Sequence, residues 1–173
     1  MGRSNAYWTS NRYVAEAEEP AATAPLTDLP PPLATRFRAL RDGLLRIDGV
    51  GEQVRHMGPT WRWAWEYAVG NRKLCWLHLM RGGVDATFTL SESDEGRLSK
   101  GPKLAAVIAR ALVEGQRTGP VKWCWLELSD RRAIDAFLNL ARRKAEWLAE
   151  RPTPRRAPRI HGGSSGVEGV EAD

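Results

Sequence analysis

His78 and Glu127 come nearest, in this chain, to an acid–base pair. His78 is the only histidine inside a strand-like run, and an imidazole facing a carboxylate across an aromatic pocket could take up and return a proton near neutral pH. A lone histidine on a largely apolar face is more commonly a hydrogen-bonded structural residue, so the enzyme reading ranks second. A metal centre built from Cys75, His78 and Cys124 fails on geometry, because Cys75 and His78 lie three apart on one strand and point to opposite faces. Glu92, Asp94 and Glu95 could hold a hard cation, but such a cluster more often decorates a solvated loop, as expected here after the third strand. Gly162-Gly163-Ser164-Ser165-Gly166 spells the letters of a nucleophile elbow without the strand before it or the helix after it that the elbow needs. No phosphate-cradling loop ending in Lys-Ser/Thr, no dinucleotide-binding glycine fingerprint and no paired helical histidines occur, so no metal or cofactor is implied.

What the residues favour instead is contact with apolar and aromatic groups. The chain has 8 tryptophans in 173 residues, and Trp61, Trp63, Trp65, Trp76, Trp123 and Trp125 fall in strand-like runs. Those runs are Trp61 to Ala68, Lys73 to Met80, Val84 to Leu90 and Val121 to Leu128. The first three are separated by Gly70-Asn71 and Gly82-Gly83, dipeptides that close tight hairpins, which predicts an antiparallel meander. Helical spacing of Leu33, Phe37, Leu40 and Leu44 predicts a helix that stops near Gly49. The stretch through Gly51, Gly58 and Pro59 reads as loop. Pro102 suits the first turn of a second helix with Leu104, Val107, Ile108, Ala111 and Leu112 inward. Ser129 or Asp130 can cap a third, with Ile134, Phe137, Leu138, Ala141 and Leu148 on one stripe and Pro152 as its stop. The order α-β-β-β-α-β-α predicts an α+β fold: a three-stranded antiparallel meander plus a fourth strand, with helices packed on the sheet. Residues 33–151 form the single domain. Residues 1–32 read as a flexible Pro/Ala-rich arm, and residues 152–173 as a disordered basic, then Gly/Ser-rich, tail.

Strand alternation turns spacing into geometry. If Gly70 and Asn71 form a two-residue turn, Tyr67 faces Leu74, Trp65 faces Trp76, Trp63 faces His78 and Trp61 faces Met80. Closing the next hairpin at Gly82-Gly83 pairs Leu79 with Ala86, Leu77 with Phe88 and Cys75 with Leu90 on the other face, and sets His78 beside Thr87. The aliphatic face is then the main core. The second face collects Trp61, Trp63, Trp65, Tyr67, Trp76, Trp123 and Trp125, with His78, Thr87 and Glu127 as its polar points. Each aromatic can bury about 150–250 Å², so this face would exceed the roughly 300–600 Å² patch usual on a monomer, and something must cover it. A helix, a small apolar or aromatic ligand, a protein partner and a second copy of the chain are the candidate covers. A ligand would find here the usual build of a small-molecule site, an aromatic pocket with few polar groups.

With 42% hydrophobic and 27% charged residues the composition excludes wholesale disorder, and no apolar run approaches the ~20 residues of a membrane-spanning helix. The net charge of +5 is unevenly spread: residues 142–159 hold seven cations, Arg142, Arg143, Lys144, Arg151, Arg155, Arg156 and Arg159, against two carboxylates. That segment is the candidate for weak, salt-sensitive nucleic-acid binding, ranked below its simpler reading as a solubilising helix end. Cys75 and Cys124 in apolar strands, with no apolar leader near Arg3, suit reduced thiols in the cytoplasm.

Trp61 to Trp147 resembles DUF 3788, a family of uncharacterised proteins that is itself similar to the small YdhG-like domains. The likeness lies in the Trp-rich first strand, the Lys73-Leu74-Cys75-Trp76-Leu77-His78 strand, and Trp123-Cys124-Trp125-Leu126-Glu127-Leu128 followed by Asp130 and a helix that carries Arg142-Arg143-Lys144. The resemblance covers about half the chain and implies the fold; it brings no catalytic residues.

Overall fold

Alternating apolar positions build the sheet, and the helices follow from the 3.6-residue stripes. A computed structural model describes residues 5–150. In chain order the elements are α1 (Asn5–Trp8), α2 (Pro25–Asp28), α3 (Pro31–Leu45), β1 (Val50–His56), α4 (Gly58–Trp61), β2 (Trp63–Val69), β3 (Arg72–Leu79), β4 (Val84–Ser91), α5 (Glu92–Lys100), α6 (Ala106–Glu114), β5 (Gln116–Thr118), β6 (Val121–Glu127) and α7 (Arg131–Glu150). The fold is α+β. Its sheet has six antiparallel strands in the order β1-β2-β3-β4-β6-β5, so the expected meander sits at the centre with β6 beside β4.

Beside the one-turn helices α1, α2 and α4, two strands and one longer helix were not foreseen. β1 carries only Val50 and Val54 as apolar residues, and β5 has three exposed residues, so neither shows a period to read. α5 begins where a loop was expected, and Leu98 is its only large apolar residue. It is held instead by a capping box in which the Ser91 hydroxyl accepts from the Asp94 N–H and the Asp94 carboxylate accepts from the Ser91 N–H. The carboxylates suspected of holding a cation are thereby spoken for: Asp94 caps the helix, and Glu95 pairs with Arg117 and Lys122.

The first hairpin decides which side of the sheet each indole takes. Gly70, at φ +59°, and Asn71 close the expected two-residue turn, pairing Val69 with Arg72 and Ala68 with Lys73. One step further the ladder slips. Tyr67 faces Cys75, Leu74 is left without a partner on β2, and Trp65 then faces Leu77 while Glu66 faces Trp76. A single bulged residue moves the rest of β2 to the opposite face. The expected Trp65–Trp76 and Trp63–His78 pairs are therefore corrected: Trp63, Trp65 and Tyr67 join Cys75, Leu77 and Leu79 in the main core. The Leu74 carbonyl is bonded by the ammonium of Lys144 on α7 at 2.7 Å, so this lysine, a candidate phosphate contact in the sequence, is a buried core residue.

In the second hairpin the turn falls at Arg81-Gly82, and Leu79 faces Val84 and Leu77 faces Ala86, two residues short of the expected partners. An even slip keeps every side chain on its expected face. α3 and α7 pack on the core face, crossing at Gly43, where an added Cβ would lie 2.5 Å from Leu138 Cδ1. Leu98 of α5 and Ile108 and Ala111 of α6 complete that core.

Residues 9–30, expected within a flexible arm, form a strap that passes from one face of the sheet to the other. The Arg12 N–H donates to the Leu79 carbonyl, and Asn11 bridges to Met80. Buried Asn11 donates to the carbonyls of Trp61, at 3.2 Å, and Trp63, at 3.0 Å, while its own oxygen accepts from the Tyr13 N–H. The Trp63 and Trp65 indoles in turn donate to the strap carbonyls of Ala15 and Ala22. The tail from residue 151 onward, with Arg151, Arg155, Arg156 and Arg159, lies outside the described residues.

Candidate functional site

The face away from the helices is built by alternate residues of four strands. Glu66 comes from β2, Trp76 and His78 from β3, Asp85, Thr87 and Thr89 from β4, and Trp123, Trp125 and Glu127 from β6. β4 is the key to the arrangement. Its small threonines stand between β3 and β6, whose strand axes are separated by roughly 10 Å, and the long indoles lean over them and meet. Trp76 and Trp123 stack at 5.4 Å with planes inclined by 26°. Trp61, from the one-turn α4, meets Trp123 edge-on at 5.4 Å, and Trp8 of α1 lies against both Trp61, at 5.8 Å, and His78, at 5.0 Å. Trp76 is buried, whereas Trp61, Trp123 and Trp125 remain partly open to solvent.

Polar side chains fix the floor. Glu66, which shares this face only because of the bulge, is almost fully buried and accepts the Trp76 indole N–H at 3.0 Å, the Arg55 guanidinium at 2.9 Å and the Lys73 ammonium. Burial pushes its pKa up, but the hydrogen bonds from Lys73 and Trp76 and the two cationic charges outweigh that, and the net shift is downward. His78 is fully buried, with Nε2 2.9 Å from the Thr87 hydroxyl, and burial pulls its pKa down to about 3. It is a neutral imidazole. Asp85 stands between it and Glu127 in the ladder, so the residues weighed as an acid–base pair are two strands apart, one sealed under Trp8 and the other exposed.

The sequence-predicted site thus divides. Trp61, Trp76, His78, Thr87, Trp123, Trp125 and Glu127 share one face. Trp63, Trp65 and Tyr67 do not: all three are buried under the helices and strap, and the Tyr67 hydroxyl donates to Glu52 at 2.7 Å. Trp8 and Glu66 belong to the site and were missed. Trp8 sits in a segment without apolar period, while a lone carboxylate in the middle of the Trp-rich strand was a signal available in the sequence. Trp125 also lines a cleft of about 290 Å³ at the sheet edge with Val107, Arg110 and Ala111 of α6. In the basic segment, Arg142 is exposed and bonded to Asn139, and Arg143 lies 5.5 Å over the Trp147 ring. Among the described residues no group of His, Cys, Asp and Glu is placed to hold a metal ion, and no helix is long and apolar enough to cross a membrane.

The fold defines a two-layer α+β protein with its long helices on one side of the sheet and an indole cluster on the other. Compared with protein-family models, curated proteins and solved structures, the chain matches none. The resemblance to DUF 3788 therefore rests on the residues quoted for it alone.

Proposed function

We propose that this chain is a binding protein whose contact surface is the indole face, and that it holds an apolar or aromatic group of a small ligand or of a protein segment. The observation that carries the reading is that Trp61, Trp123 and Trp125 stay partly open to solvent side by side, on the sheet face the long helices leave free. Rigid amphipathic rings of this kind give large contact areas at small entropic cost and dominate recognition surfaces. Below them Trp76, tied to Glu66, and His78, tied to Thr87, form a floor that does not have to reorganise on binding. A neutral imidazole sealed beneath Trp8 supports binding over proton transfer. Two buried, unpaired cysteines support a reducing compartment such as the cytoplasm.

The test uses anilinonaphthalene sulfonate as an aromatic probe of the native protein, with wild type compared to Trp123→Phe and to the Trp61→Ser/Trp123→Ser double variant. Saturable binding that quenches indole emission and weakens by about tenfold or more in the double variant is expected, since truncating anchor aromatics typically costs over 1 kcal/mol. Absent binding, or equal affinity in a double variant that still melts cooperatively, overturns the proposal. Light scattering over a concentration series, run on the same proteins, identifies a second copy as the occupant if mass doubles in wild type alone.

A further inference from the structure

On the opposite side of the molecule, the outer surfaces of α3 and α7 enclose a groove of about 580 Å³. Its origin is steric. Gly43 lets the two helices approach closely over Leu138, and their solvent-facing flanks diverge from that crossing. The floor is apolar, made by Ala39 and Gly43 from α3 and Ile134 and Leu138 from α7. The walls are arginine: Arg36, Arg38 and Arg46 on one side, Arg131 and Arg142 on the other.

These arginines gather on one groove with few carboxylates to match them. Several cations elsewhere are matched with carboxylates: Arg41 with Glu52, Arg55 and Lys73 with Glu66, Arg97 with Glu150, Arg117 and Lys122 with Glu95. Around the groove, among the described residues, Arg36, Arg38 and Arg46 have no ion pair, Arg131 meets Asp135 only at 3.6 Å, and Arg142 holds the neutral Asn139. Five guanidiniums against Asp42 and Asp135 leave a positive trough over an apolar floor.

We propose that this groove docks an acidic amphipathic helix of a partner protein. A third helix laid between two others presents apolar residues at i, i+3, i+4 and i+7 to the floor, and carboxylates on its flanks reach both arginine walls. Guanidinium suits that task because it binds carboxylate in a bidentate fork and is cheaper to desolvate than an ammonium. Nucleic acid fits less well: a phosphate backbone has no use for the apolar floor.

The probe is a fluorescein-labelled model helix with leucines at heptad spacing flanked by glutamates, titrated into the full chain and followed by anisotropy. A lysine-for-glutamate version and a labelled DNA duplex serve as competitors. Salt-sensitive binding of the acidic helix is expected, weakened by about tenfold or more in Arg38→Glu/Arg142→Glu and preserved in Trp123→Phe. Both arginines are exposed, so the double variant should keep its melting midpoint, and circular dichroism checks it. The proposal is overturned if the acidic helix does not bind at low salt, if the charge-reversed variant binds it equally, or if the duplex binds as tightly. Loss of binding in Trp123→Phe also overturns it, by moving the peptide to the indole face.

Discussion

Mild acid should destabilise this protein through one buried imidazole. His78 is fully buried between the sheet and Trp8, its Nε2 is committed to Thr87, and its Nδ1 has no partner among the described residues. Burial lowers its pKa to about 3 in the folded chain, whereas in the unfolded chain it titrates near its ordinary value of ~6.5. Between these values the unfolded state binds a proton that the native state refuses, so stability rises with pH. The contribution is fully present above pH ~6.5 and is lost progressively as pH falls toward the folded value. Each unit costs ~1.36 kcal/mol, so a drop from pH ~6.5 to ~5 removes roughly 2 kcal/mol, a large share of the 5–15 kcal/mol typical of a domain. Comparison with a variant that lacks the imidazole isolates the contribution of His78. Urea unfolding followed by tryptophan emission, at a series of pH values for wild type and His78→Gln, measures it. The wild-type midpoint should fall with pH while that of the variant stays nearly level. Parallel curves, or an imidazole proton resonance that titrates near neutrality in the native protein, would refute the reasoning.

Asn11→Ala removes the donor to two backbone carbonyls and the acceptor of the Tyr13 N–H at a site with almost no solvent access. At about 1–3 kcal/mol for a buried polar group left unsatisfied, the expected loss in urea unfolding is roughly 2–4 kcal/mol. It should come with a red-shifted indole emission as the strap loosens. Gly115→Ala would place a Cβ 2.9 Å from both the Trp123 carbonyl oxygen and the Cys124 sulfur, and because one of those is backbone, overpacking should cost about 1–3 kcal/mol in the same assay.

The central strands, the three long helical stripes and the α+β class were legible because each depends on a local period, and a period survives without its neighbours. So did the joint placement of His78, Thr87, Trp123, Trp125 and Glu127, since alternation within β3, β4 and β6 leaves only the parity of each pairing open, and an even slip preserves it. The edge strands were not legible, because β1 and β5 bury one face too weakly to impose a pattern. Nor was the strap, whose order comes from Asn11 and from the Trp63 and Trp65 indoles rather than from any period of its own.

The division of the tryptophans between two faces belongs to tertiary structure alone. Alternation says which residues within a strand point together, but only register says which strands agree. Here register turns on one bulged residue, Leu74, whose freed carbonyl is satisfied by Lys144 from a helix 70 residues away. The residue types were enough to announce an aromatic surface; which indoles form it was decided by a contact no local pattern contains.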